Sequence, residues 1–167
     1  MRVALGLGSN LGDRMAHLQA AVDGLAAGGV HGLSASGVHE TDPVGGVEQP
    51  DYLNAVVVGD TDLAPRQVLD LCLGLEQRQG RVRTVRNGPR TLDVDVLAYG
   101  ALVIAEPDLL VPHPRLAERA FVLVPWAQVD PEFEIPGVGT VADRAASVDP
   151  SGVRPRKDLA LKEPGRG

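Results

Sequence analysis

T-L-D-V-D-V-L-A, residues 91 to 98, decides how this chain is put together. Its branched residues and its alternation read as a β-strand, and Gly88-Pro89 marks the end of the loop before it. Successive side chains of a strand point to opposite faces, so Asp93 and Asp95 share one face while Leu92, Val94 and Val96 share the other. The apolar face asks for burial, and the second face holds two carboxylates side by side.

Working outward from that strand gives the architecture. Ahead of it, Pro65 opens a helix at its first turn, with Val68, Leu69, Cys72, Leu73 and Leu75 as the apolar side and Gly80 as the stop. Before that helix, Leu33 to Glu40 and Tyr52 to Gly59 read as strands, separated by T-D-P-V-G-G-V-E-Q-P-D at 41 to 51, whose Gly and Pro content forbids regular structure. Residues 2 to 7 form an apolar strand closed by Gly8. Leu11, Met15, Leu18, Val22 and Leu25 then recur at helical steps before Gly28-Gly29. The order is βαββαβ, that of a ferredoxin-like α+β sandwich in which a mostly antiparallel sheet packs on helices. Downstream, residues 113 to 128 read as one or two short helices and Val138 to Ala146 as another. Residues 149 to 167 have no periodicity and are rich in Pro, Gly and charge. The expectation is one domain over residues 1–148 and a mobile C-terminal tail over 149–167.

Composition narrows the function. The chain has 167 residues, 44% hydrophobic and 23% charged, with no apolar run near the roughly 20 residues that span a bilayer. The amino terminus does not read as a signal peptide, and a single cysteine, Cys72, allows no internal disulfide; a cytoplasmic location is expected. A net charge of −6 argues against nucleic-acid binding. Against that sum, Arg78, Arg81, Arg83, Arg86 and Arg90 crowd one loop directly ahead of the D-x-D strand. Their repulsion calls for a polyanion, and guanidinium forks match phosphate oxygens. A bare D-x-D is more often a solvated strand face, but beside these arginines the pair suits Mg²⁺, a hard cation that takes only one or two protein carboxylates.

Two further residues stand out. Glu76 falls seven positions after Leu69, on the apolar side of its helix and near a C-terminus whose dipole disfavours an anion, so its placement costs stability. His113 stands between Pro112 and Pro114, with Arg115 and Arg119 following. Other motifs fail. Neither Lys157 nor Lys162 sits in a P-loop, Gly12 comes one residue late for a dinucleotide fingerprint with Gly6 and Gly8, and the four histidines lack zinc-ligand spacing.

Taken together, G-L-G-S-N-L-G-D at 6 to 13, T-D-P-V-G at 41 to 45, Q-P-D-Y-L-N-A at 49 to 55, G-R-V-R at 80 to 83, G-P-R-T-L-D-V-D at 88 to 95 and V-P-H-P at 111 to 114 resemble the 6-hydroxymethyl-7,8-dihydropterin pyrophosphokinases of folate biosynthesis. The resemblance implies transfer of diphosphate from ATP to the pterin hydroxymethyl oxygen, release of AMP, and a monomer needing two Mg²⁺ ions. It implies that Asp93 and Asp95 hold the metal and work with Arg81 and Arg90 in catalysis. Glu76, Arg81, Arg83, Arg86, Arg90, His113 and Arg119 would line the ATP side. Thr41, Pro43, Val44, Tyr52, Asn54 and Phe121 would form the pterin pocket, where an aromatic suits the ring faces and an amide suits the ring edge. Leu73 departs from the family pattern, standing where relatives often carry a polar residue. Two other classes share these features in part: a D-x-D nucleotidyltransferase, which would release free diphosphate, and a non-catalytic ligand-binding module on the same fold.

Overall fold

The computed structural model describes residues 1–43, 48–80 and 90–164. The elements follow the expected order. Strand β1 (Arg2–Ser9) leads to α1 (Arg14–Gly28), then β2 (Val30–Ala35), β3 (His39–Thr41) and β4 (Tyr52–Thr61), then α2 (Pro65–Arg78) and β5 (Asp93–Tyr99). A hairpin of β6 (Ile104–Glu106) and β7 (Leu109–Val111) follows, then a 3₁₀ turn at Leu116–Glu118 and α3 (Ala120–Val129). A second small hairpin, β8 (Glu134–Ile135) and β9 (Gly139–Thr140), precedes α4 (Val141–Ser147) and β10 (Val153–Pro155).

The main sheet runs β10-β3-β4-β1-β5, with β2 also paired to β4, and every pairing is antiparallel. This is the α+β ferredoxin-like arrangement read from the pattern. Val3, Leu5 and Leu7 of β1 point to one face, where they join Leu18, Val22 and Leu25 of α1 and Val68, Cys72 and Leu75 of α2 in a buried core. Ala4 points the other way and joins Val56, Val58 and Leu97 beneath Leu123 and Trp126 of α3. Trp126 is fully buried, with its ring 5.5 Å from that of Phe133.

Local chemistry fixes the boundaries. The Asp13 side chain accepts from Ala16 N–H and caps α1, so Leu11, the first member of the apolar repeat, lies ahead of the helix and is exposed. Gly29 ends that helix at φ 117°, a left-handed conformation natural to glycine, and β2 starts at once at Val30. The strand expected over Leu33–Glu40 is split. The Ser36 hydroxyl accepts from Val56 N–H at 2.9 Å and donates to Gly37 O at 2.8 Å, replacing a main-chain rung between β2 and β3. In α2 the buried stripe is Val68, Cys72, Leu75 and Glu76, which is the i, i+4, i+7, i+8 face; Leu73 falls off it and is 38% exposed.

The C-terminal stretch departs from the expectation of a mobile tail. Val153–Pro155 pairs with Thr41–His39, and Leu159 and Leu161 pack on the core under α1 and α2. Edge pairing is made by backbone groups, so it leaves no hydrophobic period in the sequence. Among the described residues no helix is long and apolar enough to cross a membrane.

Candidate active site

The strand register assembles the site on the α3 face of the sheet. Residues directly opposite each other in antiparallel strands share a face. Gly8 of β1 lies opposite Asn54 of β4 on one side and Asp93 of β5 on the other; Gly6 lies between Val56 and Asp95 in the same way. On the far side of β4, His39 is opposite Asn54 and Thr41 is opposite Tyr52. Helix α3 covers the part of this face around Ala4 and Val58. The part floored by the two glycines stays open as a cleft.

Gly8 is needed there. A Cβ on Gly8 would come within 2.9 Å of Asn54 Oδ1 and 3.4 Å of the Tyr52 ring. With hydrogen in that place, the backbone of β1 forms a thin floor between the polar residues of β4 and the carboxylates of β5. Leu97 follows Asp93 and Asp95 on this face by alternation. The bulge between Ala4 and Leu5, where Leu97 is the extra residue of β5, brings Ala98 beside it into the α3 core while Asp93 and Asp95 open onto the cleft.

Two cavities meet at the carboxylates. The smaller, about 100 Å³, has Thr41, Tyr52, Asn54 and Phe121 in its walls. The larger, about 630 Å³, runs past Glu76 and His113 and is bounded by Leu69, Leu73 and Leu110. Arg90, Asp93, Asp95 and Arg119 line both. Arg90 Nη1 donates to Asp93 Oδ2 at 3.4 Å, and the Arg119 guanidinium lies 5.4 Å over the Phe121 ring, a cation–π contact that holds the aromatic wall. Asn54 Nδ2 donates to Thr41 Oγ1, which fixes the amide.

On the side of the larger cavity, Glu76 is 3% exposed, and its Oε2 accepts from Val94 N–H at 2.9 Å. Val94 belongs to the outer strand β5, so the carboxylate satisfies a ladder donor at the sheet edge, and its unfavourable place on the helix gains a structural reason. His113 is held by its own N–H, which donates to Leu97 O at 2.9 Å, and its Nδ1 accepts from Arg115 N–H at 3.3 Å. Burial pushes the His113 pKa down, with Arg119 and Arg115 adding to the effect and Asp93 opposing it. A neutral imidazole beside Arg119 and Arg115 results.

Thus Glu76 and His113 stand on one side, Thr41, Tyr52, Asn54 and Phe121 on the other, and Arg90, Asp93, Asp95 and Arg119 between them. Pro43 borders neither cavity. Val44, Arg81, Arg83 and Arg86 lie outside the described residues. Asn10 is a residue that the sequence reading quoted in a motif without giving it a role. Fully buried, it donates from Nδ2 to Gln49 Oε1 at 2.8 Å and Pro50 O at 2.9 Å, while its Oδ1 accepts from Arg90 N–H at 2.8 Å. It ties the approach to Tyr52 to the residue that touches Asp93. Its only mark in the sequence is an amide inside G-L-G-S-N-L-G-D.

Among the described residues no group of three or more His, Cys, Asp and Glu could hold a metal. The donor set is Asp93 and Asp95, two hard oxygen ligands on one rigid strand. That fits Mg²⁺, which completes its shell with water and substrate phosphates.

Comparison with known proteins bears on the family and the fold. Residues 4–131 match the family described as 7,8-dihydro-6-hydroxymethylpterin-pyrophosphokinase. The 2-amino-4-hydroxy-6-hydroxymethyldihydropteridine pyrophosphokinase of Methylorubrum extorquens is 46% identical over 153 residues, covering 91% of this chain and 96% of that relative. The protein of the same name from Mycobacterium tuberculosis is 41% identical over 182 residues, covering 98% and 95%. Among solved structures, a Plasmodium falciparum HPPK-DHPS triple mutant with pteroate matches 87% of this chain at a TM-score of 0.67 and 15% identity. This chain spans 42% of that larger protein, and the likeness is one of fold.

Proposed function

The chain belongs to the 7,8-dihydro-6-hydroxymethylpterin-pyrophosphokinase family, and from that premise we propose that it transfers the terminal diphosphate of ATP to the hydroxymethyl oxygen of 6-hydroxymethyl-7,8-dihydropterin, a step of folate biosynthesis. The observation that carries the proposal is the pair of cavities sharing one wall of Asp93, Asp95, Arg90 and Arg119. A group transfer between two substrates needs both to reach one point, and the shared wall is such a point.

The smaller cavity takes the flat pterin ring, with Phe121 and Tyr52 beside its faces and the fixed amide of Asn54 at its edge. The larger takes the nucleotide, with Leu69, Leu73 and Leu110 offering apolar surface and Arg90, Arg119 and His113 turned toward the phosphates. In the reaction the pterin oxygen bonds to the β-phosphorus of ATP. The bond from that phosphorus to the oxygen bridging the α-phosphate breaks, AMP leaves with the bridging oxygen, and one proton is released overall. Asp93 and Asp95 would hold two Mg²⁺ ions, whose contribution when bound is to neutralise the phosphate charge. Arg90 steadies Asp93 and Arg119 steadies Phe121, so each cation reaches from the shared wall to one substrate side.

The test is incubation of the protein with Mg²⁺-ATP and 6-hydroxymethyl-7,8-dihydropterin, followed by mass analysis. AMP with a doubly phosphorylated pterin is the expected result. Free diphosphate with a nucleotidylated acceptor would assign the chain to nucleotidyl transfer instead, and no turnover would leave a binding module.

A further inference from the structure

The stretch after α4 is a strap laid along the open edge of the sheet. Beyond the β10–β3 pairing, Arg156 N–H donates to Val38 O at 2.8 Å, Lys162 and Gln19 exchange two hydrogen bonds, and Glu163 Oε1 accepts from Ala35 N–H at 2.9 Å. Where the strap begins, it reaches the pterin side. Asp149, Gly152 and Val153 border a cavity of about 240 Å³ that continues from the smaller one through Thr41, Asp42 and Phe121.

Arg154 has a particular place in the strap. Its Nη1 donates to Asp42 Oδ1 at 3.1 Å and its Nη2 to Asp51 Oδ2 at 3.1 Å. Asp42 follows Thr41 and Asp51 precedes Tyr52, so one guanidinium spans the two ends of the segment joining β3 to β4. Thr41 and Tyr52 are themselves opposite each other in the sheet, and both line the smaller cavity. We propose that Arg154 is a positioning residue for pterin binding: its rigid fork sets the spacing of Asp42 and Asp51, and through it the spacing of the Thr41 and Tyr52 side chains at the pocket. The proposal rests on the pterin reading of that cavity. It makes the C-terminal strap part of the substrate site without any contact to substrate. A planar fork with fixed donor spacing can hold two carboxylates at once, whereas a lysine is a single point charge. The bridge is partly exposed, so salt weakens it and the effect is modest.

Calorimetry on the full chain, with 6-hydroxymethylpterin and with Mg²⁺ plus α,β-methylene-ATP as separate titrants, tests it. Arg154→Ala is expected to weaken pterin binding by about three- to tenfold while leaving the nucleotide affinity and Tm near wild type. Arg154→Lys is expected to recover only part of the loss, and high salt to bring the wild type toward the alanine variant. If Arg154→Ala proves unstable, the Asp42→Asn, Asp51→Asn double variant removes the same bridge from the other side. It is expected to show the same loss, with no further loss when Arg154→Ala is added. Pterin affinity indifferent to both sets of changes, or an equal loss for both ligands, overturns the proposal alone. A wild type that binds pterin neither alone nor beside Mg²⁺ and α,β-methylene-ATP overturns the functional reading and takes this proposal with it.

Discussion

The smaller cavity is walled by side chains that already hold one another, whereas the larger is a wide groove lined by apolar residues and charged groups together. Around the first, Asn54 is bonded to Thr41, the Gly8 backbone lies close under Asn54 and Tyr52, and Arg119 sits over Phe121. The second is about six times larger in volume, with Leu73 and Leu110 exposed along its wall. A tight, internally bonded pocket selects a ligand by shape, because its polar groups are already fixed in position. An open groove that sets two arginines beside its carboxylates selects by charge, and phosphates are stabilised there wherever guanidinium groups can reach them. The two carboxylates stand where these modes of recognition meet, and changes on either side of them should separate the modes.

The largest effect is expected at the boundary. Asp93→Asn and Asp95→Asn keep size and remove charge, and each should lower kcat by about a hundredfold or more, since phosphoryl transfer rests on charge neutralisation. Thermal unfolding should show the fold retained. Near-normal turnover at saturating Mg²⁺ would separate the carboxylates from the chemistry and leave the two cavities unconnected.

A smaller change tests the first cavity by itself. Phe121→Ala should weaken 6-hydroxymethylpterin binding by about tenfold while Mg²⁺-nucleotide affinity stays as it was. Phe121 also lies against the α3 core, so an equal loss for both ligands would show that packing is its only role. The floor can be tested more finely. A methyl on Gly8 meets Asn54 Oδ1 at 2.9 Å, whereas a methyl on Gly6 meets the nearest Leu97 atom at 3.4 Å. Gly8→Ala should therefore displace the amide and weaken pterin by roughly severalfold, and Gly6→Ala should do less. The reverse order, read by the same calorimetry, would mean that the pocket is not preformed around Asn54.

Much of this was legible in the residues, for reasons that differ along the chain. Alternation in T-L-D-V-D-V placed Asp93 and Asp95 on one face, and the apolar repeats of α1 and α2 gave the layer beneath. What was hidden depends on contacts distant in sequence. The break between β2 and β3 is made by Ser36 bonding to Val56, and the tie at Asn10 is made to Gln49, Pro50 and Arg90. The β6–β7 hairpin uses strands of three residues around Pro107-Asp108, too short for alternation to show. Glu76 was visible as a misplaced anion, but its partner, the Val94 N–H, is a backbone group that no side-chain pattern can announce.

The smallest effect is expected at the joint behind the wall of the smaller cavity. His39 is 2% exposed and lies opposite Asn54. Its Nδ1 is 3.1 Å from Gly37 O, and its Nε2 is 3.4 Å from Gln128 Nε2, while Gln128 Oε1 accepts from Gly37 N–H at 2.9 Å. These partners suit a neutral ring that donates from Nδ1 and accepts at Nε2; a proton on Nε2 would set donor against donor. Burial pushes the His39 pKa below its ordinary value of 6.5, and the Gly37 carbonyl only partly opposes the shift. The unfolded chain takes up this proton near pH 6.5 and the folded chain only at lower pH, so between the two the unfolded state holds more protons. Stability is therefore intact above about pH 6.5 and declines as pH falls toward the folded-state pKa. His113 is shifted in the same direction and contributes to the same decline. His39→Gln, which keeps a donor and an acceptor, leaves the His113 share in place, so the difference between variant and wild type isolates His39. Urea midpoints measured from pH 7.5 to 5.5 should show a flatter decline in His39→Gln, by at most about 1.4 kcal/mol per pH unit. Parallel declines would show that His39 keeps its ordinary pKa in the fold, and that the β2–β3 joint does not depend on its neutral form.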